Sequence, residues 1–285
     1  MPTYSAADGA TLHYDVLGEG VRTDPVIVLA GGAAQHPSYL GDLAGLSSRR
    51  RLVVPHLRGV GNSPAPSRTE AGSFWRQAAD VESLRLHLGL ERALIIGHSA
   101  GTRLAIAYAT QFPRRLAGLL LITPPAGYVV DEPSDAAALI DKRRGEPAFD
   151  AAITAMEAGP GPDVDDDTFN AWRQTVAPTG YAKWGQVEQA HARAGQWNLA
   201  AARAFFSVEP PDDLALRIGD VTVHTLVVAG AQDYATGLAP VTALADLFPN
   251  GRAVVIDRCG HHPWVEQPAA FRRAVDPFLD ACLGA

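Results

Sequence analysis

The amino-acid sequence predicts an α/β fold in which one mostly parallel sheet is flanked by helices. Short apolar runs rich in Val, Ile and Leu recur along the chain, and stretches with apolar residues three and four positions apart separate them. Apolar runs without alternation are typical of parallel strands that are buried on both faces. Because strand patterns and helix patterns alternate, we expect a doubly wound sheet.

The predicted elements follow from these runs in chain order. Residues 3–5 and 11–16 form an opening hairpin of short alternating segments. Buried strands are predicted at residues 26–30, 52–55, 93–97, 119–123, 223–229 and 253–256. Helices are predicted at residues 75–88, 102–111, 239–247 and 268–283, where the apolar spacing follows one helix face.

The pattern changes between residues 128 and 218. No strand pattern is found there, alanine becomes abundant, and aromatic residues are interleaved, namely Trp172, Trp184, Trp197, Phe205 and Phe206. This stretch predicts a helical insertion after the sixth strand, and we call residues 128–218 the insertion. Residues 1–127 and 219–285 are then expected to form the core.

Composition and charge exclude several classes of protein. The formal charge of −7 argues against nucleic-acid binding, which needs a basic face. No apolar run is long enough for a membrane span, and the first residues lack the pattern of a secretion signal. Two cysteines, Cys259 and Cys282, are too few for a disulfide framework in a chain of 285 residues. We expect reduced thiols and a cytoplasmic location.

A pentapeptide at residues 97–101 carries the candidate nucleophile. Gly97-His98-Ser99-Ala100-Gly101 follows a buried strand and precedes a helical pattern. A serine at such a turn adopts a strained backbone, and the glycines two positions away on each side leave room for it. The turn holds the hydroxyl above the sheet, and the helix start offers the Ala100 amide to a developing oxyanion. Ser99 is therefore the predicted nucleophile.

An alcohol needs a base, and the base needs an acid that orients it. Asp233 follows the strand predicted at 223–229, and His261 follows the strand predicted at 253–256. Both therefore belong to the carboxyl ends of strands, where open parallel sheets place their ligands. The order serine, acid, histidine predicts a catalytic triad of Ser99, Asp233 and His261.

Four residues compete for the roles in this triad. Asp131 and Glu132 are acidic but have no strand immediately before them. His262 neighbours His261, which is favoured because it follows Gly260 directly and so lies in a tight loop. His98 flanks the nucleophile and is predicted to be a structural histidine that points away from it.

The loop after the first buried strand should supply the second oxyanion donor. Gly32 is our first choice for the amide, because a glycine lets the backbone approach the substrate closely, and Ala33 is the next. Gln35 and His36 either line the substrate pocket or form a surface loop.

With these residues placed, the chain resembles the α/β-hydrolase fold superfamily over nearly its whole length. The segments that carry the resemblance are LRGVGNSP at 57–64, GHSAG at 97–101 and GHHPWVEQP at 260–268. The resemblance implies an eight-stranded core, a helical cap and a serine hydrolase. Within the superfamily the chain is most similar to the proline iminopeptidase-like branch, through its Gly31-Gly32 loop, its Arg58-Gly59 segment and the length of its cap. It departs from that branch at Ala30, Ala33 and His56, where histidine, proline and aspartate are usual.

Several polar and aromatic residues of the insertion remain open to two interpretations. An aminopeptidase needs carboxylates for a free α-ammonium, and Glu157, Glu188 and Glu209 are available but are equally compatible with solvated helix positions. Trp184, together with Trp264 beyond it, is a candidate substrate contact, or else a packing residue. The acidic run at 163–167 lacks the spacing of a calcium loop and predicts a helix N-cap rather than a metal site.

The sequence thus predicts a serine hydrolase, an esterase or an aminopeptidase-like enzyme, that cleaves a small ester, lactone, thioester or amide. It would need no cofactor and no metal, and would act as a monomer or homodimer on a small molecule. Two alternatives use the same scaffold: a biosynthetic lyase or cyclase, and a relative that binds a ligand without turnover.

Overall fold

Eight strands form one sheet in the computed structural model, which describes residues 1–283. They are β1 (Thr3–Ser5), β2 (Thr11–Leu17), β3 (Val26–Leu29), β4 (Leu52–Pro55), β5 (Ala93–His98), β6 (Leu116–Ile122), β7 (Thr225–Gly230) and β8 (Gly251–Ile256). Their order across the sheet is β1-β2-β4-β3-β5-β6-β7-β8. β2 pairs antiparallel with β1 and β4, and the other neighbours are parallel. The predicted eight-stranded, mostly parallel sheet is confirmed.

Eleven α-helices accompany this sheet within residues 1–283. They are α1 (Ala78–His87), α2 (Gly101–Gln111), α3 (Ala136–Asp141), α4 (Pro147–Ala158), α5 (Asp166–Val176), α6 (Gln186–Ala192), α7 (Leu199–Phe205), α8 (Leu214–Ile218), α9 (Ala239–Ala243), α10 (Pro263–Glu266) and α11 (Pro268–Leu283). Within the same residues no helix combines the length and apolar character needed to cross a membrane.

Some element boundaries differ from those predicted from the sequence. β6 begins at Leu116 rather than at 119, because its first residues pair with Ala93 and Leu94 of β5. α1 begins at Ala78 rather than at 75, because the side chain of Gln77 holds the preceding turn by bonds to the Gly72 carbonyl and the Arg58 amide. The helix predicted at 239–247 ends at 243 and continues as a 3-10 turn.

The core lies on both faces of the sheet, as expected for buried parallel strands. Alternate residues of β3 and β5, such as Ile27 and Ile95, pack with α1 and α2 on one face. Val28 and Ile96 point to the opposite face and pack in the cluster that contains Phe271 of α11. These strand residues are fully buried, so the carboxyl ends of the strands are held rigidly.

Between β6 and β7 the chain forms six helices, α3 to α8, and residues 123–224, all of them described, contain no strand. The insertion contacts the sheet end at several points. The Gly180 carbonyl accepts the His261 amide at 2.9 Å, and the Trp197 indole donates to the Gly32 carbonyl at 2.5 Å. The predicted assignment of residues 128–218 to a separate cap remains a prediction.

Candidate active site

Ser99 occupies the sharp turn between β5 and α2. Its φ of 51° lies in the left-handed region, which non-glycine residues rarely adopt. A Cβ on Gly97 would lie 2.9 Å from the Thr102 Cα, and one on Gly101 would lie 2.4 Å from the Leu29 carbonyl oxygen. Glycine is therefore required on both sides of Ser99, and the strained turn depends on this backbone packing.

Asp233 and His261 form a buried hydrogen-bonded pair at the ends of β7 and β8. His261 Nδ1 lies 2.8 Å from Asp233 Oδ2, and Asp233 is fully buried. The same carboxylate accepts the Thr236 hydroxyl at 2.6 Å and the Ala235 amide at 3.0 Å. Because an ionised carboxylate only accepts, the proton of neutral His261 lies on Nδ1 and leaves Nε2 free to act as a base.

The backbone of His261 is held from three directions. Its carbonyl accepts from His98 Nε2 and from Thr123 Oγ1, both at 3.0 Å, and its amide donates to the Gly180 carbonyl at 2.9 Å. Ser99 and His261 line one cavity, and the structure forms no hydrogen bond between these two described side chains. Such bonds commonly shorten only when substrate binds.

His98 belongs to a buried relay of hydrogen bonds that joins the His261 backbone to the loop after β3. Because Nε2 of His98 donates to a carbonyl, its Nδ1 accepts the proton of the Tyr39 hydroxyl, at 2.7 Å. The Tyr39 oxygen in turn accepts the Gly31 amide at 2.7 Å. Burial holds the pKa of His98 well below its ordinary value, and the charge of His261 acts in the same direction. His98 is thus held neutral, and its side chain forms part of the cavity lining.

The loop after β3 places Gly32 and Ala33 in the cavity lining, beside Ala100 at the start of α2. The backbone is left-handed at Gly32, Ala33 and Ala34, with φ of 69°, 47° and 61°. Among residues 1–283 the amides of Gly32 and Ala100 donate to no protein group, so both are available to an incoming oxygen. The predicted oxyanion donors therefore share the cavity with Ser99.

The cavity has a volume of about 430 Å³ and lies between the sheet end and the insertion. Its core side contains Ser99 and His261. Its insertion side is largely aromatic and carries one arginine: Trp172, Arg173, Tyr181 and Trp197. A cavity of this size suits a small molecule.

Of the four predicted substrate contacts, the structure places one in the cavity lining and three outside it. Gln35 lines the cavity, and its amide nitrogen also donates to the Gly195 carbonyl at 3.0 Å. His36 lies outside, because its ring turns toward His56 and Ser38. Trp184 is also outside, since it packs on the outer face of Tyr181. Trp264 lies behind the cavity, with its ring 4.7 Å from that of His98.

The rivals for the triad roles lie elsewhere. Asp131 and Glu132 are exposed and line no part of the cavity. His262 lines the cavity, but it stacks on Tyr181 with ring centroids 4.7 Å apart, and its Nδ1 faces the Gly180 carbonyl. Burial holds the pKa of His262 well below its ordinary value.

Sequence reasoning missed Glu266, which lies in α10 below the His261 loop. Its two carboxylate oxygens accept the amides of Gly260 at 3.0 Å, His262 at 3.2 Å and Ala182 at 2.7 Å. Burial raises the pKa of Glu266 to about 7, although these amide donors act in the opposite direction. The only feature of the sequence that could have pointed to Glu266 was its position near the end of the GHHPWVEQP segment.

The profile of the family described as alpha/beta hydrolase fold matches residues 24–268. The chain belongs to this family. Among curated relatives of this α/β hydrolase, the 2-hydroxy-6-oxononadienedioate/2-hydroxy-6-oxononatrienedioate hydrolase 2 of Pseudomonas putida is 27% identical, over 94% of this chain and 91% of the relative. The proline iminopeptidase of Heyndrickxia coagulans is 23% identical, over 96% of each chain. The resemblance to the superfamily, with proline iminopeptidases among the relatives, is confirmed.

The fold of this α/β hydrolase also matches solved structures. A thermophilic esterase from Thermogutta terrifontis superposes with a TM-score of 0.70 at 23% identity, over 99% of this chain and 98% of the esterase. This likeness shows the same fold over nearly the whole chain.

The carboxylates considered for an amine site lie away from the cavity of this α/β hydrolase. Glu157 is exposed, as is Glu209. Glu188 is buried but accepts the Gly185 amide at 3.0 Å. Within residues 1–283 no three His, Cys, Asp or Glu side chains are grouped so that they could hold a metal ion. In the acidic run, Asp165 caps α5 by accepting the Thr168 amide, as the prediction of an N-cap required.

Proposed function

We propose that this α/β hydrolase is a serine hydrolase that cleaves a small ester, lactone, thioester or amide through an acyl-enzyme. Ser99 is the nucleophile, His261 the base and Asp233 the acid. The observation that carries the proposal is the convergence of the strained Ser99 turn and the Asp233–His261 pair on one cavity, with two free amides beside them. These are the parts that acyl transfer requires.

The first step makes the acyl-enzyme. His261 Nε2 takes the Ser99 proton while Oγ bonds to the substrate carbonyl carbon, and the Asp233 carboxylate stabilises the resulting imidazolium. The oxyanion accepts the amides of Ala100 and Gly32. When the tetrahedral intermediate collapses, the imidazolium returns its proton to the leaving group.

The second step releases the acid. A water molecule donates its proton to His261 as its oxygen attacks the acyl carbon, and the Ser99 oxygen leaves with the proton from the imidazolium. All of these transfers use groups of this chain and water, so the proposed reaction calls on no further component.

The cavity favours an ester or thioester over a peptide with a free N-terminus. The names of relatives and solved neighbours include both esterase and proline iminopeptidase, so comparison alone leaves both open. An aminopeptidase must hold an α-ammonium, and the charged side chain that lines this cavity is Arg173, which repels a cation.

Covalent labelling tests the proposal directly. We expect a fluorophosphonate probe to raise the mass of the intact protein by that of one phosphonyl group. The Ser99→Ala variant should remain unlabelled. Ser83→Ala, whose hydroxyl donates to the Ala79 carbonyl of α1 outside the cavity, should label as the wild type does. A folded wild type that resists the probe would favour a lyase or a ligand-binding relative instead. Panels of p-nitrophenyl esters and aminoacyl anilides then separate esterase from aminopeptidase.

A further inference from the structure

Arg173 is the charged residue of the cavity that the proposed mechanism does not use. It lies in α5 and lines the same cavity as Ser99 and His261. Three histidines of the cavity lining do not act as the base, His98, His191 and His262, and burial lowers the pKa of each. Within residues 1–283, Arg173 is therefore the fixed positive charge of the cavity.

Among residues 1–283, the side chain of Arg173 forms no ion pair or hydrogen bond, and its Nε is buried without a partner. Two buried arginines of the chain differ from half-buried Arg173. Arg58 is held by the carboxylates of Asp8 and Asp80, and Arg85 by that of Glu82. Withdrawing a cation partly from water with no anion beside it costs free energy, and an anion bound in the cavity would offset that cost.

The guanidinium of Arg173 is held in place by aromatic rings rather than by acids. Its central carbon lies 4.5 Å from the ring centroid of Trp197 and 5.7 Å from that of Trp172. Stacking on a ring face stabilises the cation and leaves the N–H edge of the guanidinium free. Burial lowers the pKa of Arg173 to about 10, so it stays charged at neutral pH. The group is thus preorganised to bind an anion.

We propose that Arg173 binds a carboxylate of the substrate, so that the enzyme prefers half-esters or half-thioesters of dicarboxylic acids to neutral esters. The inference rests on the proposed function. One guanidinium matches the charge of one carboxylate and presents the planar N–H fork that a carboxylate accepts. A phosphate dianion would need a second cation, and the cavity lining offers none among the described residues.

The position of Arg173 also links this subsite to the reaction centre. Trp197, on which the guanidinium stacks, donates its indole N–H to the carbonyl of Gly32 in the loop of the oxyanion donors. A carboxylate bound to Arg173 therefore places the far end of the substrate against Trp197. A cavity of about 430 Å³ leaves room for only a short acyl chain between the Arg173 guanidinium and the Ser99 hydroxyl.

A pair of matched substrates tests the preference. Mono(p-nitrophenyl) adipate carries a free carboxylate, and its methyl ester is a neutral analogue of similar shape. We expect the wild type to have the higher kcat/KM for the monoacid. In Arg173→Met the ratio of the two kcat/KM values should fall roughly 10- to 100-fold, as the loss of a charge-assisted hydrogen bond predicts. A wild type without the preference, or an Arg173→Met variant that keeps the ratio, overturns the inference.

The control removes the same charge outside the cavity. Arg193 is an exposed arginine of the insertion, and Arg193→Met should leave both kcat/KM values unchanged. Thermal melting checks the fold of Arg173→Met, which is expected to melt no lower than the wild type because it buries no charge. If that variant does not fold, Arg173→Gln provides the same comparison. A fall in the ratio in Arg193→Met as well would mean a general charge effect and would contradict a subsite at Arg173.

A binding measurement separates failure of this inference from failure of the proposed function. Calorimetric titration of Ser99→Ala with monomethyl adipate and with dimethyl adipate requires no turnover. We expect the monoacid to bind more tightly, and the added Arg173→Met substitution to weaken its binding about tenfold or more. Arg173-dependent binding without turnover would keep the subsite and reject the hydrolase. Turnover of both esters with no Arg173 dependence would keep the hydrolase and reject the subsite.

Discussion

The two sides of the cavity are built in different ways. The core side contains Ser99, His261 and Asp233, and the groups that orient His261 are firmly bonded: the Asp233 carboxylate accepts four hydrogen bonds, and the His261 backbone is held at both its amide and its carbonyl. The insertion side is formed by aromatic rings and by Arg173, whose Nε has no partner.

This difference separates reaction from recognition. A group that transfers a proton must stay within hydrogen-bond reach of its partners, so the core side gains from rigid bonding. A group that selects a ligand must keep some bonding capacity free until the ligand arrives. We therefore expect substitutions on the core side to lower turnover of every substrate, and substitutions on the insertion side to change which substrate is preferred.

The largest expected effect is at Asp233, on the core side. Asp233→Asn should lower kcat for p-nitrophenyl acetate about 10,000-fold, because an amide cannot stabilise the imidazolium and favours the wrong tautomer of His261. Asp257→Asn is the matched control, since Asp257 also follows a strand end but is exposed. Similar losses in the two variants, or none in Asp233→Asn, would remove Asp233 from the mechanism.

A second prediction concerns Glu266, which accepts amides from both sides of the cavity. Its pKa is about 7 when folded and near 4.5 when unfolded. The folded state therefore holds the proton to higher pH, and the contribution to stability is complete below about pH 4.5 and lost as the pH rises through about 7. Relative to Glu266→Gln, the wild-type free energy of unfolding should fall by about 3 kcal/mol across that window.

Urea unfolding of the wild type and Glu266→Gln at several pH values measures this difference. Glu157→Gln is the control, because the Glu157 carboxylate is exposed and its difference from the wild type should not depend on pH. If the curves of Glu266→Gln and the wild type run parallel from acid to alkaline pH, Glu266 does not titrate in this range.

The relay through Tyr39 gives a smaller effect on stability. Tyr39→Phe leaves the Gly31 amide and His98 Nδ1 buried without partners, so we expect a loss of about 2 kcal/mol in the free energy of unfolding. Tyr14→Phe is the control, because the Tyr14 hydroxyl meets only the exposed His87, at 3.2 Å. Equal losses in the two variants would show that the relay is not tightly bonded in solution.

The smallest effect tests the boundary between the two sides. Trp197→Phe removes the N–H that holds the Gly32 carbonyl, and we expect kcat to fall about tenfold for both neutral and acidic esters. Trp172→Phe removes a similar N–H, which donates to Ala155 instead, and should change KM more than kcat. A Trp197→Phe variant with unchanged kcat would assign Trp197 to the selection of substrate alone.

The core side could be predicted from the sequence because its residues follow strands. Buried apolar runs located the strand ends, and the order serine, acid, histidine then selected Ser99, Asp233 and His261 for one edge of the sheet. That these three residues catalyse the reaction remains a prediction. How closely the three side chains approach one another depends on the loops that carry them. The path of those loops cannot be predicted from the spacing of the residues in the sequence.

The insertion side could not be predicted in the same way. Trp184 and Trp197 each lie in the insertion two residues before a helix, yet of these two only Trp197 reaches the cavity. The contact between Trp197 and Gly32 joins residues 165 positions apart. Nothing in the sequence singles out Arg173, because the lack of an acidic partner arises only in the folded arrangement.

The bond from the Trp197 indole to the Gly32 carbonyl has a consequence for engineering. A cap exchanged between homologous hydrolases to alter substrate range would bring new aromatic residues, but it would also remove the donor that supports the loop of a proposed oxyanion amide. Such chimaeras would lose turnover even when they bind their new substrate well. Transplants that retain residues 194–198, which also hold Gln35, would keep that support.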